Sequence, residues 1–200
     1  MANDALDTKS PLDIELKDPG LAALLAWLIP GLGHLYQGRT AKAVIYFVSI
    51  MGIFWYGVYL GGSSELGWGR VVYASWRPGD RRLPYLCQLG AGLPALPALV
   101  QANRVRNGKQ PLFGGFMAPP AMGGHFDQFG EARRDGEQPT VHELHKKLHR
   151  YFELGTVYTM IAGLLNILAI YDAWGGPVIL EEDRRREDDE TDESQEPSGS

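Results

Sequence analysis

The run from Leu154 to Trp174, LGTVYTMIAGLLNILAIYDAW, meets no charged side chain until Asp172. Crossing the ~30 Å hydrocarbon core of a bilayer takes about 20 predominantly apolar residues. A soluble core helix of this length would carry a polar stripe. Here the internal polar groups are only Thr156, Thr159 and Asn166. Tyr151, Phe152, Tyr171 and Trp174 stand at the two ends, where amphipathic rings favour the headgroup level. The run predicts a membrane-spanning helix over 154–174.

Ala43 to Leu60, AVIYFVSIMGIFWYGVYL, is likewise uncharged and rich in aromatics. Two more apolar stretches are broken. Leu21 to Tyr36 contains Pro30, Gly31 and Gly33, and Leu83 to Val100 contains Pro94 and Pro97. Proline removes an amide donor and clashes with the preceding turn, so each is expected to kink. The first reads as a short tilted span or a half-helix that turns back; the second reads as a span. The expected fold is all-α: an integral membrane helical bundle of about four membrane segments (21–36, 43–60, 83–100 and 154–174). These lie in a membrane domain over 20–176, after a polar N-terminal segment over 1–19. Cations near the span ends are almost evenly divided between the two faces, so the positive-inside rule assigns no orientation.

The mean hydropathy of −0.18 is that of an ordinary soluble chain, because the polar residues are concentrated. Residues 181–200 carry ten acids and three arginines, a net of −7, against −5 for the whole chain. Residues 1–180 therefore sum to about +2, and the acidity belongs to the tail. The tail over 177–200 has no apolar residue after Leu180 and cannot offset its ordering entropy, so a disordered acidic tail is expected. The single cysteine, Cys87, forms no internal disulfide and reads as a packing residue. The N-terminus lacks the basic region and apolar run of a cleaved signal.

Gly61 to Pro84 interleaves Trp68, Tyr73 and Trp76 with Arg70, Arg77, Arg81 and Arg82. Beside a span this pattern points to lipid headgroups, not nucleic acid. In the large loop over 101–150, Phe113, Phe116, Met117, Phe126 and Phe129 are too apolar for a solvated linker: a loop lying on the membrane surface or on the bundle is expected to bury them, and left exposed they would form a partner-binding patch. Pro139 to Phe152 has the capping-box spacing Thr140 to Glu143. Its apolar stripe of Val141, Leu144, Leu148, Tyr151 and Phe152 reads as an interfacial amphipathic helix running into the last span.

Candidate chemistry is thin. His142, His145 and His149 fall at i, i+3 and i+7 and are candidate metal ligands, with His125 and Glu143 as further donors; the HExxH spacing is absent, and the plainer reading is polar-face histidines beside Lys146 and Lys147. No catalytic nucleophile-and-base pair and no cofactor-binding motif are present. Asn166 is near mid-span and should face the bundle to be hydrogen-bonded. Asp172 is close enough to the interface to need no special role. Gly155, Thr159 and Gly163 recur at intervals of four and mark a close helix contact, within the bundle or with a second copy or another membrane protein.

Leu24 to Arg39, LLAWLIPGLGHLYQGR, carries Gly31, Gly33, His34, Tyr36, Gly38 and Arg39. This stretch resembles the first helix and connecting turn of the two-transmembrane-helix domain family. That family's closing helix commonly ends with an aspartate among aromatics, and Tyr171-Asp172-Ala173-Trp174 is similar. The overall layout resembles an uncharacterised bacterial, planctomycete-type membrane family. The resemblance implies a multi-pass protein of the bacterial inner membrane and supplies no reaction. The leading expectation is a non-enzymatic membrane scaffold or interaction protein whose surroundings are the lipid bilayer. The alternatives are a small transporter or channel-like component built on the broken helices, and metal binding by the histidine face.

Overall fold

A computed structural model describes residues 18–78, 80–121 and 138–175. Expectations for the segment before Asp18, for His125, Phe126 and Phe129, and for the tail after Gly175 fall outside the described residues.

Two helices dominate. α1 (Pro19–Leu28) and α2 (Leu32–Tyr36) precede the long α3 (Thr40–Leu60). A two-residue hairpin pairs β1 (Trp76–Arg77) with β2 (Asp80–Arg81). Then come α4 (Pro84–Gln88), α5 (Pro97–Arg106), α6 (Val141–Leu148) and the long α7 (Arg150–Gly175). α3 and α7 have 21 and 26 residues and are long and apolar enough to cross a membrane.

α3 and α7 run antiparallel. Lys42 and Tyr46 of α3 lie at Asp172, whereas a Cβ added to Gly57 would sit 2.8 Å from the Gly155 carbonyl. The predicted small-residue face is therefore used inside the molecule. Gly155 closes on Gly57 and Gly61, and Gly163 closes on the Cys87 carbonyl.

Of the four expected segments, 43–60 and 154–174 form single helices, but 21–36 and 83–100 do not. In the first, α1 ends before Pro30, Gly31 takes a φ of 83°, and α2 folds back until Gly33 lies against Ala22 and Ala26. This is the half-helix that turns back. In the second, α4 gives way to a 3-10 turn, Leu89–Ala91, and the chain reverses at Gly92 with φ 76°. The Tyr85 hydroxyl then donates to the Ala95 carbonyl across the reversal, 2.9 Å away. Reading 83–100 as one span is corrected to a helical hairpin: Pro94 and Pro97 start new turns and cannot continue the old one.

The two hairpins enter from opposite ends of α7. The α1–α2 hairpin lies along its C-terminal half, where Gln37 donates to the Ala173 carbonyl. The 84–97 hairpin rises from its N-terminal end, where Gln88 meets Thr159. Their tips meet: the Trp27 indole donates to the Leu89 carbonyl, 3.2 Å away.

A polar cap closes the N-terminal end of α7. Arg70, 3% exposed, donates to the carbonyls of Leu66, Gly114 and Gly115 and to the Gln138 side chain. The expected lipid-facing arginine is thus the pin of the cap. Met117 is buried and Phe116 half-buried against the core, while Phe113 is 87% exposed. Arg70→Lys keeps the charge but not the planar fork of donors. It is expected to cost ~2–3 kcal/mol through buried carbonyls left unpaired, seen as faster limited proteolysis between residues 62 and 121. Unchanged cleavage would show that the cap stands without it.

α6 carries the expected capping box: Thr140 accepts from the Glu143 amide, and Glu143 accepts from the Thr140 amide. It does not run into α7. His149 takes φ 47° and separates α6 from α7.

Candidate functional site

The polar groups of α7 lie on its hairpin-facing side and organise three clusters. At the C-terminal end, Asp172 gathers partners from two other helices. His34 Nε2 approaches Asp172 Oδ2 at 2.8 Å, Lys42 Nζ at 3.3 Å, and Arg39 and the Tyr46 hydroxyl at 3.5 Å. The carboxylate accepts, so Nε2 carries the proton. The imidazole is fully buried and tilts against the Tyr46 ring, with centroids 4.7 Å apart.

Local backbone chemistry builds this cluster. A Cβ at Gly31 would sit 2.3 Å from the Ala43 carbonyl, and one at Gly33 would sit 2.1 Å from the Ala22 carbonyl. Only glycine lets α2 lie this close to α1 and α3, and that closeness turns His34 inward. Gly38, with φ 83°, turns the chain into α3 and delivers Arg39. Asp172 therefore has a role that its position near the interface does not suggest. His34 Nδ1 and Arg39 Nη1 are buried without a hydrogen-bond partner among the described residues.

At the middle of α7, Asn166 is fully buried. Its amide nitrogen donates to the Ala26 carbonyl at 3.1 Å and to the Gly90 carbonyl at 2.9 Å. These are carbonyls at the tips of the two opposing hairpins. Broken helices leave such groups unpaired, which is costly away from water. One side chain serves both.

At the N-terminal end, Arg82 donates to Thr156 Oγ1 at 2.8 Å and lies over the rings of Tyr73 and Phe152. Gln88 donates to Thr159 Oγ1 at 2.8 Å and to the Val71 carbonyl. Burial pushes the Tyr73 hydroxyl up to about 12 and lowers the Arg82 guanidinium from its ordinary value.

Sequence reasoning reaches Asn166, and the family-like turn points to His34 and Arg39; Arg82, expected at lipid headgroups, instead turns in to Thr156, and Gln88 has no role in the sequence reading. The available signal was a glutamine inside an apolar run and an arginine directly before one. Gly31, Gly33 and Gly38 shape the turn; Tyr36 is half-buried and lies outside the Asp172 cluster.

The histidine face is dispersed. His142 and His145 are on α6, and His149 is at the break after it. His145 Nδ1 is 2.9 Å from the Val141 carbonyl. His145 and His149 line an open groove with Arg150 and Glu153. Among the described residues, no three His, Cys, Asp or Glu side chains converge to hold a metal ion. Nor is any hydroxyl or thiol hydrogen-bonded to His34 among them.

These features define a class: a mainly helical protein with two span-length apolar helices and two helical hairpins joined by buried polar contacts. The chain belongs to a family of unknown function, DUF6677, which matches residues 21–186. No curated protein and no solved structure matches it.

Proposed function

We propose that this chain is a multi-pass protein of the cell membrane, with α3 and α7 crossing the bilayer and the two hairpins inserted halfway from opposite faces. The observation that carries this reading is the exposure of apolar surface along both helices. Only 28% of the most apolar stretch of α3 and 39% of that of α7 is buried within the molecule. Val44, Ile45, Val48, Ile161, Leu164 and Leu168 all face outward. A soluble core helix buries such residues, and an exposed surface of this extent needs lipid or a partner. Residues 19 and 175 lie at the Asp172 end of the bundle and the cap at the other, which supports our reading that both termini share a face.

Within the membrane we read it as a non-enzymatic scaffold or interaction protein. The polar clusters tie structural elements to one another: His34 meets Asp172, Arg82 meets Thr156, Gln88 meets Thr159, and Asn166 meets the Ala26 and Gly90 carbonyls. Reporter fusions after Ala2, at Gly114 and after Ser200 test the topology. The expected result is the two ends on one side and Gly114 on the other, with wild-type protein resisting alkaline carbonate extraction. Release into the supernatant would sink the reading.

A second reading, a small transporter or channel-like component, draws support from the opposed hairpins. Half-inserted helices meeting at mid-depth are a device for binding sites in transporters, and Asn166 Oδ1 is buried there without a hydrogen-bond partner among the described residues. Its measurement is solute flux in proteoliposomes, abolished by Asn166→Leu. A flux the variant leaves unchanged excludes Asn166 from any path.

A further inference from the structure

We infer that the turn following α5 is a docking surface for anionic phospholipid headgroups at the cap end of the membrane; this rests on the membrane reading above. The first observation is charge. The chain has no Asp or Glu between Asp80 and Asp127, while Arg81, Arg82, Arg104, Arg106 and Lys109 all fall in that interval. Arg82 is committed to Thr156. The others lie outside the buried core, and Arg106 and Lys109 are exposed.

The second observation is depth. α5 leaves the hairpin with Leu99 and Val100 exposed, 40% and 54%. One turn later come Arg104 and Arg106. The chain then reverses at Gly108, φ 67°, with the Lys109 amide donating to the Arg104 carbonyl at 2.9 Å. It returns alongside α5, because Gln101 and Leu112 exchange hydrogen bonds of 2.9 and 3.0 Å. Leu112 and Phe113 therefore lie level with Gln101, between the basic tip and the outward-facing Leu99 and Val100.

The third observation is Phe113 itself. It is 87% exposed and holds φ 50°, a left-handed conformation that disfavours bulky residues. An aromatic ring held outward in this way fits the boundary between acyl chains and headgroups. Cations one turn further out are placed to meet phosphates, and the segment that carries them, 81–126, has no acid of its own to repel them. An apolar wedge beneath a basic rim matches an anionic lipid leaflet.

The test uses the full chain in bilayer discs of phosphatidylcholine with phosphatidylglycerol, followed by mild extraction and mass analysis of retained lipid. Wild type is expected to retain phosphatidylglycerol preferentially. Each of Arg104→Gln, Arg106→Gln and Lys109→Gln should lower that preference by up to about five-fold, and Phe113→Ser should lower lipid retention of both kinds. Lys146→Gln, a charge loss on α6, serves as control and should leave the preference unchanged. A triple glutamine variant with wild-type preference overturns the inference, as does a variant that instead loses a co-purifying acidic protein. Carbonate extraction of the same samples separates the two failures. Wild type released from membranes defeats the membrane reading itself, whereas retained protein without lipid preference defeats only the docking surface.

Discussion

Gly163→Leu is expected to push the 84–97 hairpin off α7 and to raise the reactivity of Cys87 toward a membrane-permeant thiol reagent by at least ten-fold. A Cβ at Gly163 would lie 1.9 Å from the Cys87 carbonyl, and one at Gly90 would lie 2.6 Å from the Gly163 carbonyl. Two backbones touch here, so no rotamer change makes room. Overpacking a closed interior costs about 1–3 kcal/mol where side chains can shift, and backbone contact puts this site at the upper end. Cys87 is the only cysteine in the chain, so labelling reports one position. Gly52→Ala is the matched control. A Cβ there meets nothing within 4 Å, and alanine favours a helix over glycine. Equal labelling of wild type and Gly163→Leu would mean that the hairpin does not dock as described.

Asp172→Ala is expected to destabilise the bundle by ~2–3 kcal/mol, read as a lower melting temperature in detergent. The loss combines the charge-assisted contact to buried His34 with the desolvation cost of leaving that imidazole unpaired. The contacts to Lys42 and Arg39 add less, because Lys42 is half exposed and screened. Asp172→Asn should fall between, since the amide oxygen still accepts from Nε2 but the charge is gone. A double-mutant cycle with His34→Ala should return a coupling of ~1–2 kcal/mol. Additive losses would show that the two side chains act independently, and the cluster would then not lock α2 to α7.

Legibility divided along physical lines. The long apolar runs were readable because absence of charge over 20 residues is a property of the chain itself, and α3 and α7 fall where those runs are. The Thr140–Glu143 box was readable for the same reason: its partners are three residues apart. The small-residue face of α7 was also visible, but not what it faces. The broken segments announced that they would break, through Pro30 and Pro94, without announcing how far they turn. Proline ends a hydrogen-bond ladder locally, and the direction taken afterwards depends on which surface receives the chain. At Gly33 that surface is Ala22; at Gly92 it is the Trp27 carbonyl.

The polar clusters were the least accessible. His34 and Asp172 are 138 residues apart, and Asn166 bonds to carbonyls 140 and 76 residues away. Arg70, beside Trp68 in a loop, reads as a headgroup ligand until the cap closes over it. A single sequence reports what each side chain requires: a partner for Asn166 inside an apolar run, a counter-charge for Asp172. Which group satisfies that requirement is decided by long-range packing.

The amino-acid sequence by itself thus determined two apolar helices, a capped polar helix before the last of them and two segments unable to remain straight. Tertiary structure alone decided that those segments become opposed hairpins meeting at Asn166, and that a histidine, two cations and a tyrosine share one carboxylate. The reason is range. Propensity, capping and hydrophobic length act over a few turns of chain, whereas pairing a buried carbonyl or carboxylate requires groups that only the assembled bundle brings within hydrogen-bond distance.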